Sequence, residues 1–326
     1  MKGAEVLMKG RKTLLMLGLV AFAHEAMATA QVTGEQRFEL GSIEMNLGVG
    51  VLNGQAREKV FRPDNGKKMS QLNWDMKQVP TLHLGLTYYP AQWLSLDLRG
   101  WTADTKGNSH MKDYDWLKDD HKSWSDYSDH PDTRVEKAWQ AEIAGTAWLF
   151  RNEHAAIGAT IGYQRSLYGW DSRGGRYTYS SDAGYRDMSG KFPDAEKGIG
   201  YEQTYDTPYV GLVGLLHFRD WSLEGRFKHS QWVRARDVDQ HYLRDTTFTR
   251  HDGNSGRMQS FALALSYRFN PQLSMKAGVD HQVYAESRGS MAVEDRAEGQ
   301  TDHYSGKVAG QSARTTLSTL AVSYAF

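Results

Sequence analysis

The segment FALALSYRFNPQLSMKAGV, residues 261–279, decides the fold of this chain. Apolar residues occupy every second position of its first half, at Phe261, Leu263, Leu265, Tyr267 and Phe269. After Asn270 and Pro271 the alternation resumes at Leu273, Met275, Ala277 and Val279. A strand with one apolar and one polar face has this period of two, so the segment predicts a β-hairpin.

The same alternation recurs along the chain, at residues 43–51, 82–88, 94–98 and 221–227. A soluble sandwich and a transmembrane barrel both use such strands. Three features favour the barrel. Short turns, such as the one predicted at Tyr89, Pro90 and Ala91, alternate with long polar stretches, such as the loop predicted at 105–134. Aromatic residues lie near strand ends, and the chain stops on an alternating strand that ends in Phe326. We therefore predict an all-β fold, a transmembrane antiparallel β-barrel of about ten strands with long extracellular loops.

The composition excludes several classes of protein. The 326 residues carry a formal net charge of +0, so the chain has no excess of positive charge that would indicate a nucleic-acid partner. Cysteine is absent, which removes disulfides, thiolate metal sites and a cysteine nucleophile. The mean hydropathy of −0.63 is too low for a helical membrane protein but suits a barrel with a polar lumen.

The first thirty residues have the pattern of a secretory signal peptide. Lys9, Arg11 and Lys12 precede a short apolar stretch at 13–23, and small residues follow it. We predict a signal peptide over 1–30, cleaved after Ala28 or Ala30. Residues 31–326 are then predicted to form a single ten-stranded outer-membrane barrel.

Two clusters of titratable residues could carry chemistry. Asp113 and Asp115 lie two residues apart, so on a strand their carboxyl groups share a face and one pKa should rise. Asp237, Asp239 and His241 share a face in the same way, and a carboxylate beside an imidazole orients the ring. Taken alone, the first cluster also fits a solvated acidic loop or a weak calcium site, and the second a surface histidine.

A set of short motifs in order resembles the omptin family of outer-membrane proteases. The resemblance covers residues 48–326 and is carried by AREKV at 56–60, SQLNW at 70–74, GWT at 100–102, DYDW at 113–116, HPDT at 130–133, GYQ at 162–164, RGG at 173–175, YSS at 179–181, FP at 192–193, IGY at 199–201 and DQHY at 239–242. The family implies a ten-stranded barrel in the bacterial outer membrane with its active groove facing the exterior.

The resemblance also implies the catalytic residues. Asp113 and Asp115 match a carboxylate couple, and Asp239 with His241 matches an Asp-His dyad. In the mechanism proposed for the family, a water held between the pairs attacks the scissile carbonyl, with no covalent intermediate and no catalytic metal.

Substrate contacts follow from the same resemblance. Glu58 and Asp237 match acidic residues that bind the Arg or Lys side chain before the cut. Asp126 matches an acidic position and Ile199 an apolar one in the substrate groove. The implied partners are proteins and peptides with basic, preferably dibasic, cleavage sites.

Lipopolysaccharide is the activating lipid that the family implies, and here the sequence departs from the family pattern. Tyr163 matches the aromatic part of the lipid-binding patch, and Arg165 offers a positive charge. Arg165, Leu167, Thr204 and Ser255 stand where the family pattern leads us to expect an acid and several basic residues. We predict lipopolysaccharide binding at Tyr163 and Arg165, with an altered geometry.

Other functions remain as alternatives. A non-catalytic adhesin or invasin could use the same barrel and loops. A lipid-modifying enzyme would need a serine and histidine pair that the sequence does not identify, and a porin would need a wider barrel. We expect a monomer.

Overall fold

The computed structural model describes residues 40–103, 107–194, 196–251 and 256–326. The predicted signal peptide, 1–30, lies outside the described residues. The strands are β1 (Ile43–Phe61), β2 (Lys68–Ala91), β3 (Leu94–Ala103), β4 (Gly107–Asp115), β5 (Asp126–Arg151), β6 (Ala155–Arg173), β7 (Arg176–Tyr179), β8 (Met188–Lys191), β9 (Lys197–Phe218), β10 (Trp221–His241), β11 (Thr246–His251), β12 (Gly256–Arg268), β13 (Leu273–Asp295) and β14 (Gln300–Ala325). A single 3₁₀ turn, Tyr242–Arg244, follows β10.

In the described part of the chain these strands occupy ten positions around a closed antiparallel barrel. β3 and β4 both lie between β2 and β5, and β11 and β12 both lie between β10 and β13, so each pair fills one position. β1 pairs with β14 and closes the ring. β7 pairs with β5 beyond the last residues that β5 pairs with β6, and β8 pairs with β7, so this hairpin extends the wall without adding a position to the ring. The predicted all-β barrel is confirmed.

The outer face of the barrel carries a band of apolar side chains. Leu47, Leu84 and Ile161 are 48%, 51% and 69% exposed, and their strand neighbours point into the lumen. So much exposed apolar surface is unfavourable in water and favourable against lipid. We call this belt, which includes the outward residues of 43–51, 82–88, 143–150, 157–161, 210–218 and 320–326, the apolar band.

Aromatic residues border the band at the end with short turns. Trp221 packs on Tyr267 with ring centroids 4.9 Å apart, and Tyr324 packs on Phe326 at 4.8 Å. Amphipathic rings favour the membrane interface. No helix in the described ranges is long and apolar enough to cross a membrane.

Side chains fill the lumen inside the band. Lys228 Nζ donates to Glu142 Oε2 at 2.6 Å and to Gln164 Oε1 at 2.8 Å. Gln164 Nε2 donates onward to Tyr284 Oη and Gln282 Oε1, each at 2.9 Å. Buried charges are tolerated only when paired and hydrogen-bonded, and this network meets both conditions.

Several strands run far beyond the band. β5 and β14 have 26 residues each, more than twice the roughly 9–11 residues that cross a bilayer. Much of the sequence predicted as long loops is therefore strand, including β4 and the start of β5 within 105–134. The alternation is lost there because both faces of these strands are polar, and so no apolar face marks them.

One predicted turn was misplaced. The turn assigned to Tyr89, Pro90 and Ala91 lies instead at 92–93, and β2 continues to Ala91. Tyr89 is buried, and its backbone N–H donates to Ser42 O. The pairing with β3 shifts between Tyr88 and Ala91, and proline is tolerated at such an irregularity.

Candidate functional site

The Asp-His pair lies at the end of β10 farthest from the short turns. Alternate residues of a strand share a face, so Asp239 and His241 both point into the lumen. His241 Nε2 lies 2.8 Å from Asp239 Oδ2, and Asp239 is buried. The ring of Phe248, on neighbouring β11, meets the imidazole edge-on at 5.2 Å. The imidazole is thus held by a carboxylate and by an aromatic ring.

The carboxylate couple lies on β4, between β2 and β5. Asp113 and Asp115 face inward together, and Ser70 Oγ on β2 donates to Asp113 Oδ1 at 3.5 Å. Burial and the neighbouring charge of Asp115 raise the pKa of Asp113 well above its ordinary value. Burial raises the pKa of Asp115 to about 6. The protonation of Asp115 is therefore sensitive to pH near 6.

The two pairs influence each other across a groove, which we define by Asp113, Asp115, Asp239 and His241. Besides burial, the charge of Asp239 raises the pKa of Asp113, and that of His241 lowers the pKa of Asp115. The groove can therefore hold a molecule between an imidazole and a carboxyl pair. Among the described residues, no group of three or more His, Asp or Glu side chains could hold a metal ion.

Two further carboxyl groups form an acidic pocket beside the groove, Glu58 on β1 and Asp237 on β10. Both are buried, with 6% and 4% of the residue exposed. Tyr201 Oη donates to Asp237 Oδ2 at 3.1 Å, and Gln203 Nε2 donates to Tyr201 Oη at 2.7 Å. Burial, followed by the charges of Asp239 and Asp237, raises the pKa of Glu58 well above its ordinary value. A cation bound in this pocket would favour the ionised form of Glu58.

Aromatic side chains line the lumen beneath the groove. Trp74 stacks on Tyr201 with centroids 5.2 Å apart, and Trp170 lies 5.9 Å from Trp74 and 6.0 Å from Tyr201. Trp170 Nε1 donates to Asp75 O at 3.1 Å, which fixes the ring. The acidic pocket thus borders a layer of packed aromatic rings, to which Tyr201 belongs. This layer was not predicted from the sequence.

The other two predicted substrate residues lie in different surroundings. Asp126 accepts from Ser125 Oγ at 2.6 Å and from the backbone N–H of Ser180 at 3.0 Å, so it ties β5 to the segment after β7. It is also the register partner of Asp115. Ile199 on β9 is buried and is the register partner of His241, which places it beside the dyad.

The residues predicted to bind lipid lie on the outer wall above the apolar band. Tyr163 Oη donates to Asp206 Oδ1 at 2.6 Å, and Arg165 NH1 lies 3.6 Å from the same oxygen. Arg236 NH2 donates to Asp206 Oδ2 at 3.0 Å, and Arg234 is the register partner of Asp206. Arg165, Arg234 and Arg236 form what we call the outer-wall arginine patch.

Arg234 and Arg236 were not predicted as lipid-binding residues, although their alternation after Trp232 marks an outward face. Leu167 and Thr204 lie in the same cross-strand row as Arg236. Ser255 lies outside the described residues. The extra arginines stand near the positions where the family pattern led us to expect other charges.

The fold and groove together define the class of protein. Short turns lie at one end of the barrel and long connections at the other, as in outer-membrane barrels whose long loops face the exterior. The acidic groove lies at the long-connection end. This is a transmembrane barrel with a concave polar site outside the membrane.

Comparison with known proteins identifies the family. The omptin family model matches residues 39–326. The chain is 34% identical to the plasminogen activator of Yersinia pestis over 85% of this chain and 87% of that protein. It is 31% identical to the outer membrane protease OmpP of Escherichia coli strain K12, over 89% of this chain and 91% of that protein. The crystal structure of the outer membrane protease OmpT from Escherichia coli superimposes with a TM-score of 0.85 at 29% identity, covering 87% of this chain and 97% of that one.

The chain belongs to the omptin family. It is an outer-membrane protease, and its barrel lies in the bacterial outer membrane.

Proposed function

We propose that the protein is an endopeptidase that cuts proteins and peptides beside Arg or Lys, preferably at dibasic sites, with a water activated between the dyad and the carboxylate couple. One observation carries the proposal. The hydrogen-bonded Asp239–His241 pair and the Asp113–Asp115 couple share one exterior groove.

The imidazole geometry supports a general-base role. Because Nε2 of His241 faces the carboxylate of Asp239, the neutral ring keeps its proton on Nε2 and leaves the Nδ1 lone pair as acceptor. In the proposed step, Nδ1 takes a proton from water while the oxygen bonds to the scissile carbonyl carbon. The imidazolium then gives this proton to the departing amine as the C–N bond breaks. Asp239 stabilises the cationic ring, Asp113 positions the water, and Asp115 supports the couple.

The acidic pocket supports the choice of substrate. Glu58 and Asp237 are buried carboxyl groups, and the charge of Asp239 in the groove acts on Glu58. A Lys or Arg side chain of the substrate would bring a positive charge that stabilises the ionised carboxylate. Ile199 would provide an apolar wall beside the dyad. Asp126 would act on the opposite side, chiefly by holding the segment after β7 in place. Since both pairs come from one chain, we propose that the monomer is active.

Lipopolysaccharide is the proposed activating lipid. Tyr163 and the outer-wall arginine patch lie directly above the apolar band, at the height of lipid head groups. Guanidinium groups bind phosphate in a bidentate manner, and Asp206 holds Arg165 and Arg236 near each other. Leu167 and Thr204 are uncharged where the family pattern predicts charged residues. Arg234 and Arg236 would supply positive charge close to those positions.

The test is cleavage of a quenched fluorescent peptide with one Arg-Arg pair, by refolded protein with and without lipopolysaccharide. We expect cleavage between the arginines, and a loss of about 10²- to 10⁴-fold in kcat/KM for His241→Ala, as for removal of a general base. His154→Ala, at an exposed short turn, is the matched control. If folded protein leaves the peptide intact with and without lipid, a binding role as an adhesin replaces the protease mechanism proposed here.

A further inference from the structure

A buried arginine already occupies the acidic pocket. Arg250 lies on β11, where the register places it opposite Asp237, and only 1% of the residue is exposed. Its Nε lies 3.2 Å from Asp237 Oδ2. Its NH1 donates to Ser287 O at 2.9 Å, next to an irregularity in the pairing of β13 with β14. The guanidinium therefore lies inside the lumen, paired with Asp237 by charge, while its Nε and NH2 have no hydrogen-bond partner among the described residues.

The two carboxyl groups of the acidic pocket differ in their contacts. Asp237 Oδ2 receives both the Arg250 cation and the hydroxyl proton of Tyr201. Glu58 Oε2 is buried, and no hydrogen-bond partner for it exists among the described residues. A buried oxygen without a partner costs free energy, which an incoming donor would recover. Glu58 is thus the carboxyl group prepared for a substrate.

The charges in the pocket also indicate that one carboxylate is compensated and the other is available to the substrate. Glu58 and Asp237 carry two negative charges when ionised, and Arg250 neutralises one of them. Burial raises the pKa of Glu58, and Arg250 is a group that lowers it. A pocket with both carboxylates uncompensated would be harder to ionise, because like charges at close range oppose each other. The resident cation therefore helps to keep one negative charge available.

We propose that Arg250 is a specificity-determining residue that holds Asp237 in an internal ion pair, so that Glu58 alone receives the cationic side chain of the substrate. The inference rests on the proposed function of the acidic pocket and refines it. The pocket therefore accepts one positive charge from the substrate at Glu58, because Asp237 is already paired with Arg250.

The experiment measures selectivity for charge rather than activity alone. Two peptides differ only before the cut, where one has arginine and the other citrulline, its neutral isostere. The ratio of their kcat/KM values is measured for the wild type, Glu58→Gln, and the double variant Glu58→Gln/Arg250→Gln. We expect Glu58→Gln to lower the preference for arginine by about 10- to 100-fold, the worth of a charged hydrogen bond.

The double variant decides the question. Removal of Arg250 releases Asp237, so the preference for arginine should return to within about tenfold of the wild-type ratio. If Arg250 only supports the fold, the double variant will select arginine no better than Glu58→Gln does, and the proposal is wrong. Arg134→Gln, at a half-exposed arginine elsewhere on the barrel, is the control for loss of one positive charge.

A second variant covers the case in which Arg250→Gln does not fold. Asp237→Asn/Arg250→Gln removes the ion pair as a unit and leaves no uncompensated charge. Its preference for arginine should persist, because Glu58 is retained; loss of the preference would overturn the proposal. A wild-type enzyme that cuts neither peptide would count against the proposed function instead.

Discussion

The carboxyl group of Asp115 exchanges its proton near neutral pH, since burial raises its pKa to about 6. In the unfolded chain an aspartate titrates near pH 4. Between these values the folded protein binds the proton more tightly than the unfolded chain does. The free energy of unfolding contributed by this group therefore falls as the pH rises from about 4 to about 6.

This linkage can be measured. Asp115→Asn should flatten the fall in stability between pH 4 and pH 6, because the amide does not titrate. The readout is the temperature at which the barrel loses its folded electrophoretic mobility, measured across this pH range. Asp64→Asn, in the turn between β1 and β2, is the control. An unchanged pH dependence in Asp115→Asn would show that the group titrates normally.

At the same scale, the pattern of a single strand predicted which catalytic candidates share a face. Asp239 and His241 are separated by one residue on β10, and Nε2 of His241 lies 2.8 Å from Oδ2 of Asp239. The pairing of Arg250 with Asp237 was not predicted, because it depends on the register between β10 and β11. Local alternation gives the face of a residue, whereas the neighbour across the strand depends on turn geometry and distant contacts.

Among the elements, the turn between β6 and β7 fixes the β7–β8 hairpin. Gly175 has φ +115°, and an added Cβ would lie 2.6 Å from Asp129 O. His130 Nδ1 hydrogen-bonds to Gly174 O at 2.6 Å, and the N–H of Phe192 donates to Gly175 O at 3.0 Å. The turn therefore joins the hairpin to β5 beside the groove.

Substitution of Gly175 by alanine should loosen this hairpin. The positive φ and the clash together should cost about 1–3 kcal/mol, measured as a lower unfolding temperature and faster proteolysis within 180–187. Gly299→Ala is the matched control, because Gly299 also has a positive φ but nothing lies within 4 Å of its added Cβ. Equal losses in both variants would mean that backbone strain, and not the contact with β5, sets the effect.

The elements beyond the membrane were the hardest to predict. β4 and the first residues of β5 are strand, yet their sequence reads as polar loop. In the apolar band, lipid on one side and lumen on the other impose alternation. Above it both sides are polar, so only the hydrogen-bond ladder maintains the strand, and composition carries no sign of it.

For the molecule as a whole, the apolar band determines how the barrel sits in lipid. Leu47 lies in the middle of the outward positions of 43–51 and neighbours Leu84 and Val322 across the strands. A charge placed there would face hydrocarbon. Leu47→Arg should destabilise the barrel by about 2–4 kcal/mol, as arginine does near the bilayer midplane.

The measurement is denaturant-induced unfolding in lipid vesicles. Val238→Arg is the matched control, since Val238 is 41% exposed and lies near the extracellular end of β10. Its stability should change by less than about 1 kcal/mol. Comparable losses in both variants would place the membrane boundary above the band that we define.

The filled lumen also determines where products and protons go. Glu142, Gln164 and Lys228 occupy the interior of the barrel below the groove. The groove is therefore open to the exterior, and these side chains fill the lumen beneath it. We expect the cleavage products to leave by the exterior opening through which the substrate entered. We expect the protons taken up by Asp115 to come from the exterior medium as well. The activity should then follow the pH of that medium rather than the pH of the compartment beneath the membrane.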